Sequence, residues 1–490
     1  MRKITCLISA ALVTISIAKT NAQQNIMNYI KVYFSQQVDN TYSTTGVNAV
    51  YLNNTIFDTL AAYIDRAKYS VDLAQYEYET WSGDPIATAV NNAYSRGVKV
   101  RYLQDGNEAA TNSGVKLLNA SVPVFSSPVK NGSACNGESY NIMHDKIVII
   151  DEYSPDSTKS FVLTGSADWD KNMSLGDYNN MIIFQSKVLA RAYTHEFDIM
   201  WGDTTHGAAA NSGSAKFGSC KPNSGTHKFI IGGSVVELYF SPTDSTNNHI
   251  IDVINSAKVD LYCGMNDFTE TTDANDIVTA KNAGVSAYAI LDAYTSAGST
   301  PFTTTLPNGL GSNFAAYNNA NYLYHNKYIV VNPSGPCDNP VVLTGSHNWT
   351  ASADAENDEN TVIVHNDTIA NLYMQAFASD FNVIKGTPIK KLTNPCPNSV
   401  NNLNGNISEV DVYPNPFNSS ATISYNLSSD EKVTMGVYNI MGQKVCTIVD
   451  GVLLEAGLHS YTFNAPAAGV YLVKIQDGNN TYVKKIVSVQ

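Results

Sequence analysis

The sequence predicts two duplicated α/β domains with mixed sheets, packed pseudo-twofold and followed by a small all-β sandwich. Three observations carry that prediction. Helix-spaced and strand-spaced apolar runs recur in the same order in two successive halves. Each half holds a His-x-Lys strand that leads to Leu-Thr-Gly-Ser: residues 144–166 read HDKIVIIDEYSPDSTKSFVLTGS and residues 325–346 read HNKYIVVNPSGPCDNPVVLTGS. From about residue 396 the texture changes to short alternating strands separated by turn residues.

The elements follow in order. MRKITCLISAALVTISIAKTNAQQ has a basic start, an apolar stretch and a small-residue cleavage site, so residues 1–22 are expected to be a secretory signal. The first α/β domain is expected over residues 23–204. There Ile56, Leu60, Tyr63, Ile64 and Ala67 keep helical spacing, and VDLAQY alternates as a strand. Asp84 is the expected cap of a second helix with Pro85 as its first residue, and Gly97 stops it before a strand from Val98. Residues 205–226, rich in Gly, Ser and Asn, read as a linker. The second domain, residues 227–395, repeats the order with VVELYFSP, VDLYCG and a helix stopped by Gly284 before a strand from Val285 to Asp292. Each half then closes with a strand (MIIFQS or TVIVHN) and a helix (VLARAYTHEFDIMW or IANLYMQAFASDF). Residues 396–408 read as a second linker and 409–490 as the sandwich.

Composition bounds the function. Apart from the leader, no apolar run approaches the roughly 20 residues a membrane span needs, so the mature protein is expected to be exported without an integral membrane segment. Export favours disulfides. Four cysteines, Cys135, Cys220, Cys337 and Cys396, lie in loops, and one bridge per half (Cys135 with Cys220, Cys337 with Cys396) is the expected pairing among those the sequence leaves open. Cys263, inside a strand, reads as a buried apolar residue. No cysteine or histidine spacing suggests a metal site, and no cofactor is implied. The net charge of −13 disfavours a partner held mainly through many phosphates.

A His and a Lys two apart on a strand share a face. His144 with Lys146 and His325 with Lys327 therefore project together, and a pseudo-twofold would bring both pairs to one point. Such a set suits a phosphodiester. Lys146 and Lys327 offset phosphate charge, while Ser166, Ser346 and Asn348 donate hydrogen bonds to phosphoryl oxygens. One imidazole attacks phosphorus and the other protonates the departing oxygen. A single His-x-Lys reads equally well as an ordinary strand entrance; two at matching places, each followed by LTGS, ask for another explanation.

At these residues the chain resembles the phospholipase D superfamily, marked by paired His-x-Lys-x4-Asp motifs, each followed by Gly-Ser and an Asn. The resemblance covers roughly residues 29–384 and includes AKYSVDLAQYEY, SRGVKVRYLQD and YFSP. It implies a catalytic set of His144, Lys146, Asp151, His325, Lys327 and Glu359. His144 would be the nucleophile that forms a phosphohistidine, His325 the general acid and then base, and Glu359 an orienting acid, with a solvated loop acid as the alternative reading of Glu359. Three departures stand out: Asn332 replaces the second Asp, which the family implies is mainly structural; Asp168 replaces the first Asn; and Asn179 stands where Glu359 stands in the other half, with Asp177 nearby.

YPNPF (residues 413–417), YNIMGQKV, AGVYLVKI and the ending KKIVSVQ look like a C-terminal sorting domain of the type IX secretion system. That resemblance implies secretion machinery as a partner, passage through periplasm and outer membrane, and a secreted or cell-surface product; an immunoglobulin-like binding module is the alternative. The expected function is a secreted phosphodiesterase that hydrolyses or transfers phospholipid head-group esters. The alternatives are a secreted nuclease of the same superfamily and a non-catalytic surface protein that binds phosphate-bearing ligands. The aromatic stretch YEYETW (residues 76–81) reads either as core packing or as the lining of a substrate path.

Overall fold

The computed structural model describes residues 26–132, 140–170, 176–334, 339–392, 407–427, 429–439, 442–478 and 480–489. The expected leader lies outside the described residues, as do Cys135, Cys337 and Cys396, and with them both expected disulfide pairings. Two compact units part between residues 397 and 398.

The first unit holds two eight-stranded mixed sheets. In the first lobe these are β1 (Ile30–Phe34), β2 (Val50–Tyr51), β3 (Ser70–Gln75), β4 (Lys99–Gln104), β5 (Val124–Ser126), β6 (Lys146–Ile150), β7 (Phe161–Gly165) and β8 (Asn180–Gln185). The second lobe has β9 (Lys228–Ile231), β10 (Ser234–Ser241), β11 (Asp260–Met265), β12 (Ser286–Asp292), β13 (Phe314–Tyr317), β14 (Lys327–Val331), β15 (Val341–Gly345) and β16 (Glu359–His365). The orders β2-β1-β8-β7-β6-β3-β4-β5 and β9-β10-β16-β15-β14-β11-β12-β13 correspond strand for strand except at the β2 and β9 edges. β3, β4 and β5 run parallel, as do β11, β12 and β13, while the His-x-Lys strands β6 and β14 pair antiparallel on both sides. Continuous burial of KIVII and KYIVV fits strands with covered faces.

Helices cover each sheet on both faces. Ile56–Ile64 and Ile86–Ser95 pack their apolar stripes on the outer face of the first sheet. The second of these helices starts at Ile86 with Pro85 as its N-cap, one residue later than expected, and Asp84 accepts from the amide of Ile86 at 2.8 Å. The closing helices Lys187–Trp201 and Asp367–Lys385 share one central core with both sheets. Their ends match: Ser186 and Asn366 cap the N-termini, and Gly202 and Gly386 (φ 75° each) terminate them.

The lobes meet by reciprocal contacts. Phe34 of β1 meets Tyr373 edge-on at 5.2 Å, and Phe240 of β10 meets Tyr193 at 5.4 Å. The segment read as a linker is anchored at a few points: Trp201 donates to the carbonyl of Ala208 at 3.1 Å, and Phe217 and Lys221 are buried. Cys263 is a buried free thiol in β11.

The second unit is a β-sandwich. One sheet is β17 (Ile407–Tyr413), β18 (Ser420–Leu427) and β21 (Gly457–Asn464); the other is β19 (Glu431–Asn439), β20 (Lys444–Leu454), β22 (Gly469–Asp477) and β23 (Asn480–Ser488). Alternating inward residues such as Ile423, Tyr425, Val433, Val437, Val473 and Ile475 form its core.

Candidate active site

His144 and His325 stand two residues ahead of β6 and β14, whose first residues are Lys146 and Lys327. The neighbouring strands β7 and β15 end in glycines that admit a close backbone. A Cβ on Gly165 or Gly345 would stand 2.2 Å from the carbonyl oxygen of Asn180 or Asn360. That approach places the start of β8 and of β16 against the histidines.

Each histidine is held by the opposite lobe. His144 Nδ1 lies 2.8 Å from Glu359 Oε2, and His325 Nδ1 lies 3.1 Å from Asn179 Oδ1. Behind them, Ser346 donates to Glu359 at 2.7 Å and Ser166 donates to Asn179 at 2.7 Å. The residues between His and Lys join the exchange: Asn360 Nδ2 donates to Asp145 at 2.9 Å, and Asn180 Nδ2 donates to Asn326 at 3.0 Å. Thr164 and Thr344 complete the symmetry with bonds to Asn360 (2.8 Å) and Asn180 (3.1 Å).

The four central groups are nearly closed off from solvent, with exposures of 6% for His144, 4% for Lys146, 5% for His325 and 1% for Lys327. Lys146 Nζ pairs with Asp168 Oδ1 at 2.8 Å and lies over the Tyr76 ring. Lys327 Nζ lies 3.1 Å from His325 Nε2 and donates to the His325 carbonyl at 3.0 Å. Asp168 Oδ2 stands 3.8 Å from the same Nε2, linking Lys146 of one lobe to His325 of the other.

Charge and burial tune these groups. Burial, with Lys327, Lys146 and His144 alongside, holds His325 well below the ordinary imidazole value. Burial and the neighbouring Lys146 push Lys327 down to about 7. Burial lowers His144 too, against the opposing pull of Glu359. Burial alone would raise Glu359, but its contact with His144 more than offsets that and keeps it below the usual carboxylate range. These surroundings favour the neutral form of both imidazoles and set two lysines beside them.

Other expected residues fall elsewhere. Asp151 stands at the far end of β6 from His144 and accepts from the backbone amides of Lys68, Tyr69 and Ser70 at 2.7–3.0 Å. Its place among the catalytic residues is therefore corrected: it closes a turn, and Asn332 does the same for Lys258 and Val259 at 2.9 Å. The serines are corrected as well. Both hydroxyls are fully buried and spend their hydrogens on Asn179 and Glu359, so they brace the residues behind the histidines instead of facing a phosphate. Asn348 accepts from the amide of Asp267 at 3.3 Å. Asp177 accepts from the amide of Leu323 at 2.7 Å, so the histidine contact in this lobe falls to Asn179. Sequence reasoning passed over Asp145, Asn326, Asn180, Asn360 and Gln75. The one signal for the first four was their repetition at matching places in both halves.

A family model described as cardiolipin synthase, PLD-like domain, matches residues 60–201 and 250–381, more than half of the chain. A second, described as a secretion system C-terminal sorting domain, matches residues 411–490. A mitochondrial cardiolipin hydrolase of Xenopus tropicalis is 28% identical over 147 residues, covering 30% of this chain and 60% of the frog protein. A phospholipase D of Rickettsia bellii is 25% identical over 146 residues, covering 30% of this chain and 69% of that protein. The chain thus spans less than two thirds of the frog relative's length. Among solved structures, phosphatidylserine synthase of Haemophilus influenzae aligns with a TM-score of 0.47 and 14% identity, over 74% of this chain and 90% of that one.

Proposed function

The chain belongs to the family described as cardiolipin synthase, PLD-like domain, and from that premise we propose that it is an exported phospholipase D-type enzyme acting on phospholipid head-group esters. The type IX sorting domain directs export and a secreted or cell-surface location. His144, with its Nδ1 hydrogen given to Glu359, attacks phosphorus through Nε2. A P–N bond forms as the P–O bond to the head group breaks, and the proton on His325 passes to the departing oxygen. Water then gives a proton to His325 and attacks phosphorus, the P–N bond breaks, and phosphatidic acid leaves. An alcohol in place of water would yield a new phosphatidyl ester.

His325 must carry a proton at the first step although its surroundings discourage one. The anionic diester offsets the two lysines as it binds, so substrate charge itself favours loading that proton. The observation that supports the reading is the cross-lobe exchange, in which each histidine is held by a residue of the opposite lobe. Lipid is favoured over nucleic acid by the names of the cardiolipin hydrolase and phospholipase D relatives and by the net charge of −13.

The test is a panel of phosphatidylcholine, cardiolipin and single- and double-stranded DNA offered to purified protein. Head-group release that falls about 10²–10⁴-fold in both His144→Ala and His325→Ala supports the proposal. Cleavage of DNA alone would replace lipid by nucleic acid. Activity surviving in both variants would remove the shared mechanism.

A further inference from the structure

We propose that Asp168 is a built-in competitor for the substrate phosphate and sets the affinity of the site for it; the inference rests on the phosphodiesterase reading above. Two isolated bridges, Tyr78 with Trp169 and Phe268 with Trp349, fix the loops after β7 and β15 in matching positions. Asp168 therefore corresponds to Asn348, and the second lobe shows the neutral version of the same place.

The carboxylate is 3% exposed and fully engaged on one oxygen. Oδ1 takes Lys146 Nζ at 2.8 Å and Gln75 Nε2 at 3.1 Å, while Oδ2 faces His325 Nε2 at 3.8 Å. Lys146 and His325 come from opposite lobes, and they are the groups that must meet a phosphoryl oxygen and the leaving oxygen. One anion thus spans the two contacts the substrate requires. In so dry a site its charge is poorly screened, so a diester has to displace it from Lys146 or share the cation with it. The charge is also unnecessary for holding the loop, because an amide at this position can still accept from Gln75.

The experiment measures inorganic phosphate binding to the full chain by titration calorimetry, for the wild type, Asp168→Asn and Asp168→Glu. Melting curves confirm that each variant is folded. The Asn variant is expected to bind phosphate about tenfold more tightly, a change of about 1.4 kcal/mol. KM for phospholipid falls in the same direction. The Glu variant, which keeps the charge, stays weak. Unchanged or weaker phosphate binding by folded Asp168→Asn overturns the inference, and so does a Glu variant that binds as tightly as Asn. Phosphate binding needs no turnover. If no diester is hydrolysed yet Asp168→Asn binds phosphate more tightly, the proposed function fails and this inference stands. Hydrolysis without tighter binding sustains the proposed function and overturns this inference.

Discussion

At Lys327 a side chain with 1% of its surface exposed has an imidazole nitrogen at 3.1 Å instead of a carboxylate. Its pKa falls to about 7 from the usual 10.5, chiefly through burial and next through Lys146. Between those two values the unfolded chain keeps a proton that the folded chain has released. Folding stability from this group therefore rises as pH rises through that window, and its cost is greatest below it. Lys327→Met should stabilise the fold by about 1–3 kcal/mol at pH 6 and by much less near pH 10, while diesterase activity falls about 100-fold or more. Urea denaturation at the two pH values checks this; equal stability of the two proteins at pH 6 would count against it. Histidine–lysine spacing was legible as chemistry because it recurs at matching places just ahead of two buried strands. Of the partners, Glu359 was legible as an orienting acid and Asn179 as its counterpart; what the sequence did not display is that each reaches the histidine of the opposite lobe and that Asp168 pairs with Lys146.

The two turns after β6 and β14 show how element geometry hides in a motif. Asp151 and Asn332 adopt φ of 54° and 55°, and each side chain satisfies amides at the start of the adjoining strand. Apolar strand, left-handed residue and acceptor form one device for ending a buried strand without orphaned N–H groups. Asp151→Asn should cost under about 1 kcal/mol, because Asn332 already performs the task. Asp151→Ala should cost more than about 2 kcal/mol, through unpaired amides and a strained φ. Thermal melts rank the pair, and a similar loss in both variants would show that charge matters more than acceptor geometry. The motif could be read as one catalytic string only because the sequence does not display that a five-residue strand separates its ends. Caps and stops were more transparent: Asp84, Gly97 and Gly284 announce local boundaries and need no partner far along the chain.

Across the whole first unit, a buried ionic knot joins the lobes. Lys221, fully enclosed, contacts Glu196 at 2.5 Å and Asp358 at 2.7 Å and donates to the carbonyl of Ser241 at 3.0 Å. Burial alone would lower its pKa, but Asp358, Glu196 and Asp145 raise it instead. Lys221→Met should destabilise this unit by about 3–5 kcal/mol, because it strands carboxylates away from water. Differential scanning calorimetry would show the loss as an earlier transition; a melting curve like that of the wild type would mean that the knot is dispensable. The stretch holding Lys221 was read as a linker from its Gly, Ser and Asn content. Composition reveals loop character, but not that one lysine in the loop pairs with two buried acids from opposite lobes. The duplicated architecture was plain from repeated order, whereas the exchange of Asn180 with Asn326 and of Asn360 with Asp145 depends on long-range docking that no local pattern encodes. That exchange has an evolutionary consequence. Two identical chains meeting on a true dyad would have to carry every substitution twice. Joined in one polypeptide, the copies are released from that bond, so one imidazole can be backed by a carboxylate and its counterpart by an amide, and the pair can specialise.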